Sequence, residues 1–339
     1  ELFRTRYDAG SVLKQLVGAD LPVFERKFAE YTELKYLAEA AEAGLQEPSF
    51  FGSALTAGSE AIPEFNVSPA PSPDSKRLAW LSTRDGHPAQ VRVRDLASGR
   101  ETRLEAQAAG AEYIPYGRFT KPLRSLSWSP DGRTLAFSGQ YNHREYLYLY
   151  EPGTGKVSRA CAEGLLEMRQ PVFSPDGKKV AFVGMRGAYN DIYEASAERL
   201  ARGGELKFSE LSRVTESAQD EASPAYSPDG GTLAWSCEVD GSSGPARALC
   251  LQARGGAPAT VRFPGSVYDP VFSPDGSLVY FISDAGYDFD LYSYEPASGL
   301  SRRLTRTMGG VFTPAAAGDK VYFSAFRRGE MHLYAASPL

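Results

Sequence analysis

The chain has 339 residues, with 37 Lys plus Arg against 42 Asp plus Glu, and its formal charge of −5 has the wrong sign for a surface that tracks nucleic-acid phosphates. At 42% apolar and 23% charged residues it is globular rather than disordered, and no run approaches the ~18 apolar residues of a membrane-spanning helix. Its three His (His87, His143, His332) lie far apart without an H-E-x-x-H pattern, and its three Cys (Cys161, Cys237, Cys250) lack metal-ligand spacing, which argues against zinc hydrolase chemistry in this chain.

In chain order, residues 8–43 read as a helix pair, and the opening at Glu1 rather than Met reads as a processed or truncated start. Val12, Leu13, Leu16 and Val17 share one helical face. Asp20 is placed to cap a second helix starting at Leu21-Pro22, and Phe24, Phe28, Tyr31 and then Leu34 or Lys35 follow its period up to a stop at Gly44. Such a pair holds little core of its own. The reading is a helical segment over 1–49 that either docks on the remainder of the chain or is the tail of an upstream domain.

A repeat then dominates. PSPDSKRLAW (Pro71–Trp80) is degenerate. WSPDGRTLAF (Trp128–Phe137), FSPDGKKVAF (Phe173–Phe182), YSPDGGTLAW (Tyr226–Trp235) and FSPDGSLVYF (Phe272–Phe281) are full copies, and TPAAAGDKVYF (Thr313–Phe323) keeps the frame without the turn. The motif prolines Pro73, Pro130, Pro175, Pro228 and Pro274 are spaced by 57, 45, 53 and 46 residues. Pro presets the turn, Asp ties the local backbone and Gly takes the positive φ. An apolar strand follows, then an alternating one such as Tyr146–Tyr150, then a second turn and an outer strand such as Ser301–Thr305. One such sheet cannot bury both faces alone, and radial repetition solves this. The expected fold is all-β: a six-bladed β-propeller of four-stranded antiparallel blades over 50–339, with a short N-terminal α-helical segment. The sixth unit lacks an outer strand, and Phe51-Gly-Ser-Ala-Leu-Thr56 resembles one, so 51–56 is expected to join the last blade and close the ring.

In this architecture the Ser-Pro-Asp-Gly turns occupy one face. Their carboxylates, Asp131, Asp176, Asp229 and Asp275, are read as turn stabilisers spread around a ring, not as a catalytic cluster. The loops and the channel mouth occupy the other face. Arg124, Arg169, Glu221 and Asp269 start inner strands there and read as a solvated ion-pair ring or a partner site. A divalent cation such as calcium in the central channel would need several converging oxygens, and the sequence offers Glu221, Asp269 and Asp220. Loop aromatics and arginines, among them Tyr116, Tyr141, Arg144, Tyr189, Tyr287, Phe289 and Arg327, are the residue types enriched at protein interfaces. No G-x-S-x-G elbow or Ser-His-Asp set is found, so no catalytic residue, resident metal or cofactor is assigned. Cys237 and Cys250 sit on neighbouring strands and read equally as a disulfide or two buried thiols, with Cys161 a lone buried thiol.

The Ser-Pro-Asp-Gly frame, the apolar strand behind it and the Leu-Thr outer strand resemble the TolB-like, WD-related propeller repeats of bacteria. The resemblance implies an exported, often periplasmic, protein-binding module associated with an envelope complex. The departures are the degenerate first copy, the turn missing from the sixth, and helices where TolB carries a small α/β domain. The same repeat occurs in the propeller domains of prolyl-oligopeptidase-type enzymes. Within residues 11–37, Leu16, Gly18, Phe24, Glu25, Phe28, Tyr31 and Tyr36 resemble the last helices of gluzincin-type peptidase domains. That likeness implies a zinc-bearing catalytic part upstream of this chain. The leading expectation is a non-catalytic protein- or peptide-binding scaffold acting outside the cytoplasm through its loop face. The second is a substrate-docking accessory domain of a larger zinc peptidase. A third, a propeller enzyme acting on sugars or lactones, would need a carboxylate–metal centre at the channel.

Overall fold

The structure, a computed structural model, describes residues 9–58, 63–84, 89–112, 114–115, 117–118, 121–122, 124–241, 244–286 and 288–337. The chain divides into two units, residues 1–46 and 47–339.

In the first unit, helix Ala9–Val17 is followed by helix Leu21–Glu42. Pro22 sits in the first turn of the second helix, where its missing N–H is no loss. Asp20 stands at the N-cap, but its carboxylate makes no cap hydrogen bond and pairs with Lys14 at 2.8 Å instead. The apolar stripe is uncovered: Phe28, Tyr31 and Leu34 are exposed, and so are Tyr36 and Leu37 on other sides of the helix. Apolar residues dispersed around a helix give it no single face to bury.

The second unit is a six-bladed β-propeller. Blade one is Asn66–Pro71, Arg77–Ser82, Gln90–Asp95 and Glu101–Leu104. Blade two is Leu126–Trp128, Leu135–Tyr141, Arg144–Glu151 and Lys156–Ala162. Blade three is Glu167–Phe173, Lys179–Arg186, Tyr189–Ser196 and Leu211–Arg213. Blade four is Glu221–Tyr226, Thr232–Gly241, Gly244–Ala253 and Ala259–Val261. Blade five is Val267–Phe272, Val279–Ser283, Asp290–Glu295 and Leu300–Arg303. Blade six is Val311–Ala317, Lys320–Arg327, Glu330–Ala336 and, from the other end of the chain, Ser53–Ala54. Blade two gains a fifth strand, Gly204–Leu206, parallel to Lys156–Ala162 and carried on an insertion from blade three.

The turn chemistry repeats to the atom. In blade two the Ser129 hydroxyl donates to Asp131 Oδ1 (2.6 Å), which also accepts the N–H of Arg133 (3.0 Å), while the Thr134 N–H donates to Ser129 Oγ (2.9 Å). The same set recurs at Ser174/Asp176, Ser227/Asp229 and Ser273/Asp275, and at the degenerate Ser72/Asp74. These bonds hold each aspartate below the usual carboxylate range, serine first. The turn carboxylates are therefore structural. Gly276, at φ +75°, lies so close to Pro228 of the preceding blade's turn that a Cβ there would sit 3.3 Å from the ring.

The core is built from one repeated pair. The aromatic residue on each second strand stacks on a tyrosine of the third: Phe137 on Tyr148, Phe182 on Tyr193, Phe281 on Tyr292 and Phe323 on Tyr334, with ring centroids 5.1, 6.1, 5.6 and 5.7 Å apart. In blades one and four the second-strand residue is Trp80 or Trp235, and the tyrosine is replaced by Arg92 or Cys250. Cys250 is bridged to Cys237, and Cys161 is buried and free.

Candidate functional site: the channel mouth

Each inner strand starts at the loop face, and most carry one irregularity. In blades one, three, four, five and six the ladder shifts by a bulge, and its pivot holds a left-handed backbone in a non-glycine residue: Ser68 (φ 56°), Gln170 (53°), Ser223 (55°), Asp269 (48°) and Thr313 (49°). Such conformations are unfavourable by ~1–2 kcal/mol each, and bulges re-aim side chains. Here the re-aimed side chains form a buried polar ring. The Ser125 N–H donates to Ser68 Oγ (2.8 Å) and the Ser68 N–H to Thr313 Oγ1 (3.2 Å). Gln170 donates through Nε2 to Ser223 Oγ (2.8 Å) and accepts the Ser223 N–H on Oε1 (3.0 Å), and the Ser223 hydroxyl donates to Asp269 Oδ1 (2.6 Å).

Beside this ring, toward blades three to five, lies a cavity of about 330 Å³. Arg169, Gln170, Asp220, Glu221, Arg247 and Asp269 supply its polar wall, and Tyr268, Phe289 and Phe312 its aromatic rim. The rim rings contact one another, Phe289 lying 5.9 Å from Tyr268 and 5.4 Å from Phe312. Most of its polar groups are already engaged. Arg169 reaches the Glu167 carboxylate and donates to Asn190 Oδ1 at 2.8 Å. Arg247 donates to the carbonyls of Asp220 (3.0 Å) and Ser236 (2.7 Å). Burial lowers the Arg247 pKa, and the Glu221 charge opposes the shift. Arg124 spans from blade two to the Pro224 carbonyl of blade four (2.5 Å); burial lowers its pKa too, with Asp269 opposing. Glu221 is the outlier: burial pushes its pKa up to about 7, against the opposing effects of Ser217, Trp235 and Arg247.

Of the residues singled out from sequence, Arg169, Glu221, Asp269 and Phe289 line this one cavity, and Arg124 bars the channel beside it. Tyr141, Arg144, Tyr189 and Arg327 lie elsewhere. Tyr141 lies under the Arg159 guanidinium, 3.9 Å from its ring centroid. Arg144 pairs with Glu205 (2.9 Å) and Arg327 with Glu47 (2.7 Å), while Tyr189 is exposed at the start of its strand. Tyr116 and Tyr287 fall outside the described residues. The expected cation-binding oxygens are held by separate partners: Asp269 by Ser223, Asp220 by Asn190 (2.8 Å), and Glu221 by the Ser217 hydroxyl (2.9 Å). No group of three or more His, Cys, Asp or Glu among the described residues is arranged to hold a metal ion.

The polar ring itself was missed by charge-based reading. Its signal was the X-Pro step four residues ahead of each motif serine or its equivalent: Ser68-Pro69, Gln170-Pro171, Ser223-Pro224, Asp269-Pro270 and Thr313-Pro314. On the opposite face, a depression of about 370 Å³ between blades three and four is lined by the turns and, among others, by Lys179, Glu194, Tyr226, Gln252 and Arg254. Lys179 and Tyr226 both donate to the Glu194 carboxylate.

No protein-family model matches the chain. A Bacillus subtilis protein described as the uncharacterized peptidase YuxL is 30% identical over 183 residues, 53% of this chain and 23% of that protein. A TolB homologue of Chlorobium luteolum is 30% identical over 178 residues, 51% of this chain and 37% of that protein. The matches thus span less than half the length of either relative. Among solved structures, TolB from Acinetobacter baumannii superimposes with a TM-score of 0.58 at 22% identity, covering 74% of this chain and 56% of that one. In repeat sequence and in fold, the propeller is TolB-like.

Proposed function

We propose that this propeller is a non-catalytic scaffold that binds a protein or peptide partner at its channel mouth, outside the cytoplasm. The observation that carries this reading is the 330 Å³ cavity at the channel mouth, with an aromatic rim over a polar wall whose groups mostly hold one another in place. Fixed polar groups beneath clustered aromatic rings suit recognition by desolvation of an inserted side chain. Likeness to TolB homologues supports a protein partner. The Cys237–Cys250 bridge supports an oxidising compartment, and no described helix is long and apolar enough to cross a membrane. The reading needs no cofactor.

Capture of envelope proteins by the immobilised chain tests it. Phe289→Asp at the rim should reduce capture at least about tenfold, the loss expected for one buried aromatic anchor. Asp131→Ala on the turn face should leave capture unchanged. Equal capture by both variants would remove the channel mouth as the binding site.

A second reading, an accessory domain that docks substrate for a peptidase, draws on the match to a peptidase of which this chain spans 23%. The exposed apolar side chains of helix Leu21–Glu42 also favour it. The native protein's intact mass decides between the two readings. A mass near that of this chain leaves the free-standing scaffold.

A further inference from the structure

We propose that the channel-mouth cavity takes an α-carboxylate residue: a carboxylate whose own carbon carries an N–H donor and an apolar side chain. The C-terminal residue of a peptide and a free amino acid share that chemistry. The inference rests on the channel mouth as the binding site and names what enters it.

Two charged side chains of the cavity wall carry it, Arg247 and Asp220. The Arg247 guanidinium is fixed through Nε to Ser236 Oγ (2.6 Å) and through Nη2 to the carbonyls of Ser236 (2.7 Å) and Asp220 (3.0 Å). All three acceptors are neutral. Among the described residues nothing bonds its Nη1, and no carboxylate closes an ion pair with it. Asp220 has the complementary imbalance. Its Oδ1 accepts two N–H groups of Asn190, from the backbone (3.0 Å) and the side chain (2.8 Å), while no described residue bonds Oδ2. The two residues are neighbours, since Asp220 supplies one of the carbonyls that hold Arg247, yet no ion pair joins their side chains.

Charge withdrawn from water is ordinarily paired, so a donor and an acceptor left open in one cavity wall call for a ligand that completes both. A carboxylate oxygen accepts from Arg247 Nη1, and the adjacent N–H donates to Asp220 Oδ2. The side chain on the same carbon then meets the rim of Tyr268, Phe289 and Phe312. The other acids of the wall oppose an anion less than their number suggests. Glu221 keeps its proton up to about pH 7, and Asp269 accepts the Ser223 hydroxyl. Arg124, beside the cavity, adds a second guanidinium that bonds the Pro224 carbonyl and has no ion pair among the described residues. A single negative charge suits this balance, whereas a doubly charged phosphate would also meet Asp220. Capture of a chain end through its carboxylate is a recurring mode of peptide recognition.

The Ile282 methyl signal, assigned by Ile282→Val, reports on the cavity that this residue lines. N-acetylphenylalanine should shift it saturably with a dissociation constant of roughly millimolar order, as suits so small a ligand. N-acetylphenylalaninamide, which carries no charge, should bind at least about tenfold more weakly, and 3-phenylpropanoate, which lacks the N–H, severalfold more weakly. Arg247→Gln should weaken N-acetylphenylalanine at least about tenfold. If that variant fails to fold, Asp220→Asn decides: it should weaken N-acetylphenylalanine severalfold and leave 3-phenylpropanoate unchanged, a selectivity that a merely structural role would not produce. Phenylalanine separates the sources. Binding of N-acetylphenylalanine shows room for a preceding peptide bond and identifies a peptide end, whereas binding of phenylalanine alone identifies a free amino acid. No binding of either, equal binding of the corresponding amide, or unchanged affinity in both variants would overturn the proposal. Capture of envelope proteins that Phe289→Asp abolishes, without binding of either ligand, sinks this inference alone. Ligand binding without capture of any protein sinks the scaffold reading alone.

Discussion

At the residue scale, Glu221 is a carboxylate that burial holds well above its ordinary range. It starts an inner strand and is almost fully buried, and burial holds its pKa near 7, above the 4.5 of a free glutamate. The unfolded chain therefore releases this proton near pH 4.5 while the folded chain keeps it to about 7. The associated stability is present below pH 4.5 and is lost as pH rises to about 7, by ~3 kcal/mol in all. Urea unfolding of the wild type and Glu221→Gln at pH 5 and pH 8 measures this. The wild type should lose stability relative to the variant across that interval, and parallel pH profiles would show that Glu221 is not the group responsible. The turn aspartates act in the opposite sense. Their depressed pKa values make them stabilising at neutral pH, and that stability is lost as pH falls below the free-aspartate value of 3.8.

At the element scale, the blade hairpins were legible because their information is local. Ser, Pro, Asp and Gly at fixed offsets dictate a turn whose hydrogen bonds close within six residues, as Ser129 to Thr134 shows. The core pairing was legible only in part. The alternation of Tyr146–Tyr150 marked a strand, but which tyrosine stacks on Phe137 depends on cross-strand register. The channel ring was less legible still, since Gln170 and Ser223, 53 positions apart in sequence, meet only when the chain between them has folded into a blade. Glu221 was placed at the channel by its strand position and does line the mouth cavity, but that its carboxylate accepts the Ser217 hydroxyl was not legible. The state of Cys237 and Cys250 was likewise left open by spacing and is decided by facing strands of one hairpin. Closing 13 residues of chain, the bridge should contribute ~3 kcal/mol by restricting the unfolded state. Thermal unfolding with and without reductant tests this, and the double Cys→Ser variant should reproduce the reduced midpoint. A midpoint indifferent to reductant would mean that the hairpin's pairing alone sets stability.

At the scale of the whole molecule, the last blade is completed by a junction between distant parts of the chain. Ser53 and Ala54 pair with Ala335 and Tyr334, the Leu55 N–H donates to the Leu333 carbonyl (2.8 Å), and the Leu333 N–H donates to Thr56 Oγ1 (3.0 Å). The same threonine bond occurs inside continuous blades, where the Ile192 N–H donates to Thr215 Oγ1 (2.8 Å) and the Leu291 N–H to Thr305 Oγ1 (2.9 Å). The three bonds are chemically alike and differ in the chain they enclose: 277 residues at Thr56 but 14 at Thr305. Removing either should destabilise the protein by a similar ~1 kcal/mol. The kinetics should differ. Contacts between distant residues form late, because loop-closure entropy is lost before they contribute, so the Thr56 bond is expected to be absent from the folding transition state. Thr56→Val should therefore speed unfolding about fivefold and leave refolding unchanged. Thr305→Val should divide its effect between the two rates, because its hairpin assembles locally. Stopped-flow unfolding and refolding of both variants measures this, and a slowed refolding of Thr56→Val would show that the ring closes before its blades are complete.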